Sequence, residues 1–327
     1  MFDRLDPIDA RLLDEFQRDF PLTSHPYAGL AGALGLTEAD VLARLTRMRA
    51  AGTVSRVGAT VRPNVAGAST LAAMAVPEGQ LEEVSGLIGA EPGVNHSYLR
   101  EDDWNLWFVA AAADDAALKA TLARLSRAAG LQVLDLRLVR PFNIDLGFSL
   151  RGGAAVMQPR PAPVTMDLTP ADRTLLNALS RDGLALVPAP YAALARATGF
   201  DEATLIQRIS TLVAGGVITR LGVIVRHRPL GWTANAMVVW DLPTEQIATA
   251  GPALAALPGV TLCYQRQTVP GVWPYALYSM IHGRSRAEAL EVLARAHALP
   301  ELAGATSRPL FSTRCFKQTG TLISEAA

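Results

Sequence analysis

The chain repeats itself. Residues 44–62 read RLTRMRAAGTVSRVGATVR and residues 208–226 read RISTLVAGGVITRLGVIVR; at a constant offset of 164, seven of these 19 positions are identical. Five of the other twelve exchange one apolar side chain for another. Upstream, Leu5-Asp6-Pro7-Ile8-Asp9 answers Leu168-Thr169-Pro170-Ala171-Asp172, and Pro26-Tyr27 answers Pro190-Tyr191. Downstream, Pro92-Gly93-Val94 answers Pro258-Gly259-Val260, and Tyr98-Leu99-Arg100 answers Tyr264-Gln265-Arg266. A duplication on this scale obliges both halves to fold alike, before any propensity is weighed. The Gly- and Pro-rich stretch from Leu150 to Pro163 reads as the join. The expected domains are therefore 1–62 and 63–150, a linker at 151–166, then 167–226 and 227–327.

Each copy has the same internal order. Asp6 or Thr169 caps a first helix, whose apolar stripe is Leu12, Leu13 and Phe16 or Leu175, Leu176 and Leu179. A short second helix follows (27–34; 191–198), then a Gly turn at Gly35 or Gly199. A third helix (37–51; 201–214) stops at Gly52 or Gly215-Gly216. Three helices with a tight turn before the last is the helix-turn-helix pattern, and residues 53–62 or 217–226 are expected to supply a strand-pair wing. The remainder alternates strand and helix. Copy one reads 69–76, helix 80–88, 94–99, 106–112, helix 115–129 and 132–139. Copy two reads 236–242, helix 244–256, 260–265, 275–281, helix 286–298 and 305–310. That order, βαββαβ, is the ferredoxin-like split βαβ. The fold class is α+β: a tandem duplication, each half a winged helix-turn-helix plus a ferredoxin-like domain.

Composition narrows the partners. Lys+Arg and Asp+Glu both number 30, so the net charge is zero, where a chain attracted non-specifically to nucleic acid or an anionic membrane is normally basic. Only Lys119 and Lys317 are lysines, leaving 30 − 2 = 28 arginines. A GC-rich genome accounts for most of them, yet Arg is also the better residue for bidentate carboxylate recognition. Cys263 and Cys315 are the only cysteines, with no CxxC and no His/Cys cluster at metal-ligand spacing, so neither a disulfide framework nor a metal site is expected. The first residues are charged where a signal peptide is apolar, and no stretch has the roughly 18 apolar residues of a membrane span, so a cytoplasmic protein is expected.

The titratable residues single out one strand. His96, Tyr98 and Arg100 lie at i, i+2 and i+4, which on a strand puts an acid, a hydroxyl and a guanidinium on one face. Three outward polar residues on an edge strand would have the same spacing. Copy two repeats the pair as Tyr264 and Arg266 but has Leu262 in place of His96, so the two copies are not equivalent. His227 follows Arg226 at the end of the wing segment. His282 ends an apolar strand and reads as structural; His25 and His297 read as bland. Arg56 and Arg220, like Arg62 and Arg226, occupy matched repeat positions.

Helix-turn-helix followed by βαββαβ resembles the Lrp/AsnC regulators over essentially the whole chain. A narrower resemblance rests on longer motifs. The run from His96 to Phe108 (HSYLREDDWNLWF) is similar to the H-x-Y-x-R…-Y/W-N-L-W/Y segment of the siroheme decarboxylases, the NirD/NirL/NirG/NirH and AhbA/AhbB proteins. Copy two resembles their partner-type subunit through Arg220-Leu221-Gly222, Arg226-His227-Arg228, Ala234–Trp240, Cys263-Tyr264-Gln265-Arg266, Trp273–Gly283 and Leu310–Lys317. The chain thus resembles a fused NirD–NirL pair. One departure is Ala276, where the family usually has Asn.

The resemblance implies removal of CO2 from acetate side chains of siroheme, giving 12,18-didecarboxysiroheme for haem d1 or alternative haem synthesis. It implies siroheme as substrate, no cofactor beyond that iron tetrapyrrole, and related NirG/NirH-type subunits or self-association as partners, with no membrane partner and DNA disfavoured. His96 is the expected proton donor, with His227 a second acid or ligand. Tyr98, Arg100 and Arg266 are expected to hold carboxylates, and Arg56, Trp104, Asn105, Arg220, Asn235, Tyr264 and Tyr278 to contact substrate. Two alternatives stand beside this reading: an Lrp/AsnC-type transcriptional regulator, and a catalytically idle tetrapyrrole-binding subunit. The regulator is the weaker fit, because the third helix carries Arg44, Arg47 and Arg49 in copy one but only Arg208 in copy two, a poor palindrome reader.

Overall fold

The computed structural model describes residues 5–144, 147, 150 and 166–323. The expected linker, apart from Met166, lies outside them. In each repeat three helices come first: α1 (Pro7–Glu15), α2 (Pro26–Leu34) and α3 (Glu38–Ala50), matched by α6 (Pro170–Arg181), α7 (Pro190–Thr198) and α8 (Glu202–Ala214). We number the second-repeat helices after α4 (Leu81–Ala90) and α5 (Asp115–Ala129). The caps are those the sequence predicts. Asp6 Oδ1 accepts from the Ile8 and Asp9 amides, while Thr169 and Asp172 form a reciprocal capping box. The carboxylates one turn in do a second job. Asp9 takes Arg44 and Arg47 of α3 at 2.7 and 2.5 Å, and Asp172 takes Arg208 of α8 at 2.5 Å. Arg44, Arg47 and Arg208 of the third helices are thereby tied back to their own helical bundle.

The wing differs from expectation. Each repeat contributes one uninterrupted strand, β1 (Val54–Val61) or β6 (Ile218–Val225), and the two pair antiparallel with each other, Gly58 opposite Gly222. No turn residues break either segment, so neither folds back on itself. The central glycines serve close approach instead: a Cβ on Gly58 would lie 2.5 Å from the Leu179 carbonyl oxygen, and one on Gly222 2.4 Å from the Gln17 backbone. The exchange continues in the helices. The buried Tyr27 hydroxyl donates to the Ala185 carbonyl (3.1 Å), and Tyr191 donates to that of Pro21 (3.0 Å). Both helix-turn-helix parts therefore share one hydrophobic core.

The remaining strands are β2 (Ala68–Met74), β3 (Val94–Arg100), β4 (Leu106–Ala112) and β5 (Leu134–Asn143) in copy one. Copy two supplies β7 (Ala234–Asp241), β8 (Val260–Arg266), β9 (Leu277–Gly283) and β10 (Thr306–Gln318), with helices α9 (Ile247–Ala256) and α10 (Arg286–His297). Each copy makes the ferredoxin-like sheet β3-β4-β2-β5 or β8-β9-β7-β10, and the two sheets close into one eight-stranded antiparallel barrel. Closure depends on two strands longer than the sequence suggests. β5 was expected to end at residue 139 and β10 at 310. Instead β5 pairs with β2 through 134–137 and with β8 through 138–143. β10 likewise pairs with β7 through 306–311 and with β3 through 312–318.

The barrel separates three apolar clusters. Phe108, Leu106 and Met74 face α4 and α5 on one flank. Trp240, Ile281 and Val238 face α9 and α10 on the other. Alternate residues of the same strands, among them Leu71, Trp107, Met237, Tyr264, Tyr278 and Met280, fill the interior. Among the described residues no helix is long and apolar enough to cross a membrane.

Candidate functional site in the barrel mouth

The barrel interior opens into a cavity of about 310 Å³ lined by both repeats, within the range of small-molecule sites. Its floor is apolar: Leu71, Trp107, Val109, Met237, Leu262 and Met280. The rim carries Asn95, His96, Tyr98 and Arg100 from β3, with His227, Arg228, Asn235 and His282 from copy two. Among the described residues, none of those lining it is acidic. Among the described residues the lining is therefore part apolar and part cationic, with no carboxylate.

The strand β3 explains how so many polar groups reach one place. Its register with β4 slips between Val94 and His96, a bulge at Asn95. After the bulge, His96, Tyr98 and Arg100 alternate into the cavity, and Asn95 lines it as well. The His96 ring stacks beside Tyr98 at 6.3 Å, and the Arg100 guanidinium lies 5.5 Å from the Tyr98 ring. Arg100 Nη1 donates to the Leu310 carbonyl on β10 at 3.0 Å, which pins the side chain across the seam between the two sheets. Its Nε has no hydrogen-bond partner. Arg266 makes the matching bond at the other seam, to the Leu136 carbonyl (2.8 Å), over the Tyr264 ring at 4.5 Å.

Burial governs the electrostatics. It pushes His96 down to about 4, with the nearby Arg56 adding to the effect. It pushes His227 down to about 3, with help from His282 and Arg220, and His282 down to about 4, with help from Arg100. Arg100 falls to about 10 and remains a cation at neutral pH. Burial raises the Tyr98 hydroxyl, which stays a proton-bearing donor. The cavity wall thus sets neutral imidazoles beside a permanent cation, an arrangement that a carboxylate would relieve.

The histidines differ in what they can do. His282 has both ring nitrogens engaged, Nε2 with Asn235 Nδ2 at 2.9 Å and Nδ1 with Thr261 Oγ1 at 2.7 Å. His96 makes a hydrogen bond at Nδ1, to Asn95 Oδ1 at 2.7 Å, and its ring borders the cavity. His227 lies 5.9 Å from the His282 ring.

Of the residues expected from sequence, His96, Tyr98, Arg100, His227, Asn235 and Tyr264 line this cavity. The others do not. Asn105 is committed to the backbone: its amide accepts from Val76 N and donates to Val76 O, both at 2.9 Å, which clasps the end of β2. Tyr278 is fully buried in the barrel, stacked on Tyr264 at 5.7 Å, its hydroxyl accepting from Trp273 Nε1. Trp104 packs against the same interior cluster. Arg266 belongs to the opposite seam, while Arg56 and Arg220 are buried in the β1–β6 ribbon and act on His96 and His227 through their charge. Sequence reasoning passed over Asn95, although Asn is disfavoured in strands and that alone marked the position. It read His282 as structural; the residue is held rigidly and also faces the cavity.

This combination of paired helix-turn-helix parts and a shared ligand-binding barrel defines a fused, two-unit protein of the Lrp/AsnC class, with its site formed between the units. The comparisons with known proteins agree. A model of the AsnC-like ligand binding domain matches residues 66–142 and 229–317, and one of the siroheme decarboxylase NirDL-like HTH domain matches 9–54 and 172–218. The chain is 59% identical to the siroheme decarboxylase NirDL subunit of Paracoccus denitrificans, over 99% of each. It is 31% identical to the siroheme decarboxylase of Hydrogenobacter thermophilus, over 94% of this chain and 92% of that one. A crystal structure of the siroheme decarboxylase NirDL in co-complex with an iron-uroporphyrin III analogue superposes with a TM-score of 0.70, at 27% identity, covering 97% of this chain and 95% of that one. The chain belongs to the siroheme decarboxylase NirDL family.

Proposed function

We infer that this chain is a siroheme decarboxylase subunit, a carboxy-lyase that removes CO2 from acetate side chains of siroheme and leaves methyl groups. The observation that carries the reading is the cavity itself: its lining combines apolar side chains with Arg100, Arg228 and three histidines, and no acidic residue lines it among the described residues. A flat tetrapyrrole with eight carboxylates needs an apolar bed and fixed cations, because unpaired buried charge is costly.

In this reading Arg100 and Tyr98 hold the carboxylates of the macrocycle, and the apolar floor receives part of its face. Cleavage of the bond between the acetate carbons releases CO2 and leaves an electron pair, which the conjugated macrocycle accepts. His96 then delivers a proton from Nε2 to the remaining carbon, completing the methyl group. Substrate carboxylates beside His96 favour its protonated form and lift its pKa from about 4 toward neutrality. The macrocycle serves as its own electron sink, so we propose that no further cofactor is used. His227, beside His282, serves as the second acid or as a ligand. We also place the protein in the cytoplasm, a reducing compartment that suits the free thiols of Cys263 and Cys315.

Anaerobic incubation with siroheme, with product mass measured, tests the reading. A loss of CO2 units from the substrate is the expected result. No loss, alone or with related subunits, would overturn it. The same assay on protein stripped of metals by chelation, with no added nucleotide or flavin, checks the cofactor statement.

A further inference from the structure

The C-terminal segment passes directly behind His96. β10 pairs Gln318 with His96, and the chain then continues along the bulge: Thr319 N donates to the Asn95 carbonyl at 2.8 Å. Asn95 is buried, and its Nδ2 donates to Thr321 Oγ1 at 2.8 Å. That bond directs the amide oxygen toward His96 Nδ1, 2.7 Å away. The tail is itself anchored on α6, where Ser180 Oγ donates to the Thr321 carbonyl (3.1 Å) and Asn177 Oδ1 accepts from Ile323 N (3.3 Å). Ile323 is buried in the helix-turn-helix core.

An amide oxygen accepts and never donates, so the Asn95 contact selects the His96 tautomer with hydrogen on Nδ1. The other nitrogen, Nε2, is left to take up and deliver a proton on the cavity side. Copy two places Thr261 at the corresponding bulge, between Val260 and Leu262, and uses it to hold His282 instead. The bulge residue holds a histidine in both repeats, and in copy one the C-terminal segment in turn holds the bulge residue, through Thr319 and Thr321.

We propose that Asn95 is a positioning residue for His96, and that the C-terminal segment, through Thr321, sets the tautomer and orientation of the proton donor. This rests on the assignment of His96 as donor. Among the described residues the charged and titratable groups facing His96 are Arg56 on β1, Tyr98 on its own strand, and His227, His282, Arg100 and Arg228 around the cavity; the described part of the tail contributes the neutral Gln318 and Thr321.

The test combines a spectroscopic signature with a rate. With ¹⁵N-histidine label in the full chain, the His96 signals are followed through a pH titration in the parent protein and in Asn95→Leu, Asn95→Asp and Thr321→Val. The parent is expected to show the Nδ1–H tautomer. Asn95→Leu should lose that preference and lower kcat roughly 10- to 100-fold, with KM for siroheme little changed. Asn95→Asp should keep the tautomer and raise the His96 titration by about one unit or more, moving the pH–rate profile the same way. Thr321→Val should mix the tautomers with the Asn95 side chain intact. If Asn95→Leu does not fold, the other two variants carry the test. Unchanged His96 tautomer and titration across the folded variants would overturn the proposal. Failure of the parent to decarboxylate siroheme would instead sink the functional reading, leaving the tautomer measurement standing.

Discussion

Position 96 is histidine and its counterpart, position 262, is leucine, though both border the same cavity. In the proposed mechanism one repeat brings the proton and the other brings apolar wall. His96→Gln keeps the volume and a hydrogen bond but cannot carry a proton; it should lower single-turnover decarboxylation about 10²-fold or more while siroheme binding, read by absorbance, changes little. Arg100 should behave in the opposite way. Arg100→Met removes the buried cation, and siroheme affinity should fall roughly 10- to 100-fold, as expected for losing a charge-assisted hydrogen bond of ~1.5–3 kcal/mol. Near-equal affinity in a titration of Arg100→Met would show that the carboxylates are held elsewhere.

The elements carrying these residues were legible to different degrees. Strand and helix order followed from periodicity, because each element has one face on a core and one outside. The long-range pairings did not. Pro141 suggests that β5 stops early, since proline cannot donate to a ladder, while no sequence period carries β10 past residue 310. Both strands run on, and their extensions are what join the two sheets. The wing was misread for a related reason: a single sequence shows that residues 53–62 are extended but not that their partner lies 164 residues away. Within the site, alternation on β3 placed His96, Tyr98 and Arg100, whereas the bulge that adds Asn95 has no sequence period to announce it. Gly222 on β6 offers a direct check on the ribbon. Gly222→Ala would drive a Cβ into the Gln17 backbone and should destabilise the protein by about 2 kcal/mol or more, measured from the urea midpoint.

On the scale of the whole molecule, the site exists only because two repeats share one barrel. Cutting the chain between residues 151 and 165 should give halves that bind an iron tetrapyrrole only when mixed, as a titration of each half and of the mixture will show. Stability should also follow the site's buried imidazoles. His96, His227 and His282 all titrate below the ordinary 6.5 when folded, so the unfolded chain binds more protons between about pH 4 and 6.5. Stability should be flat above that window and fall as pH drops through it, with His282→Asn losing part of the slope in urea denaturation. The threading of β10 has one more consequence, in time rather than space. Residues 312–318 hydrogen-bond to β3, laid down more than 200 residues earlier, and Thr321 completes the support behind His96. During synthesis the first repeat leaves the ribosome and folds its helices early, but β3 waits with one edge bare until residues 312–318 have emerged. A nascent chain that stops short of residue 312 lacks both that edge and the Thr321 bond to Asn95.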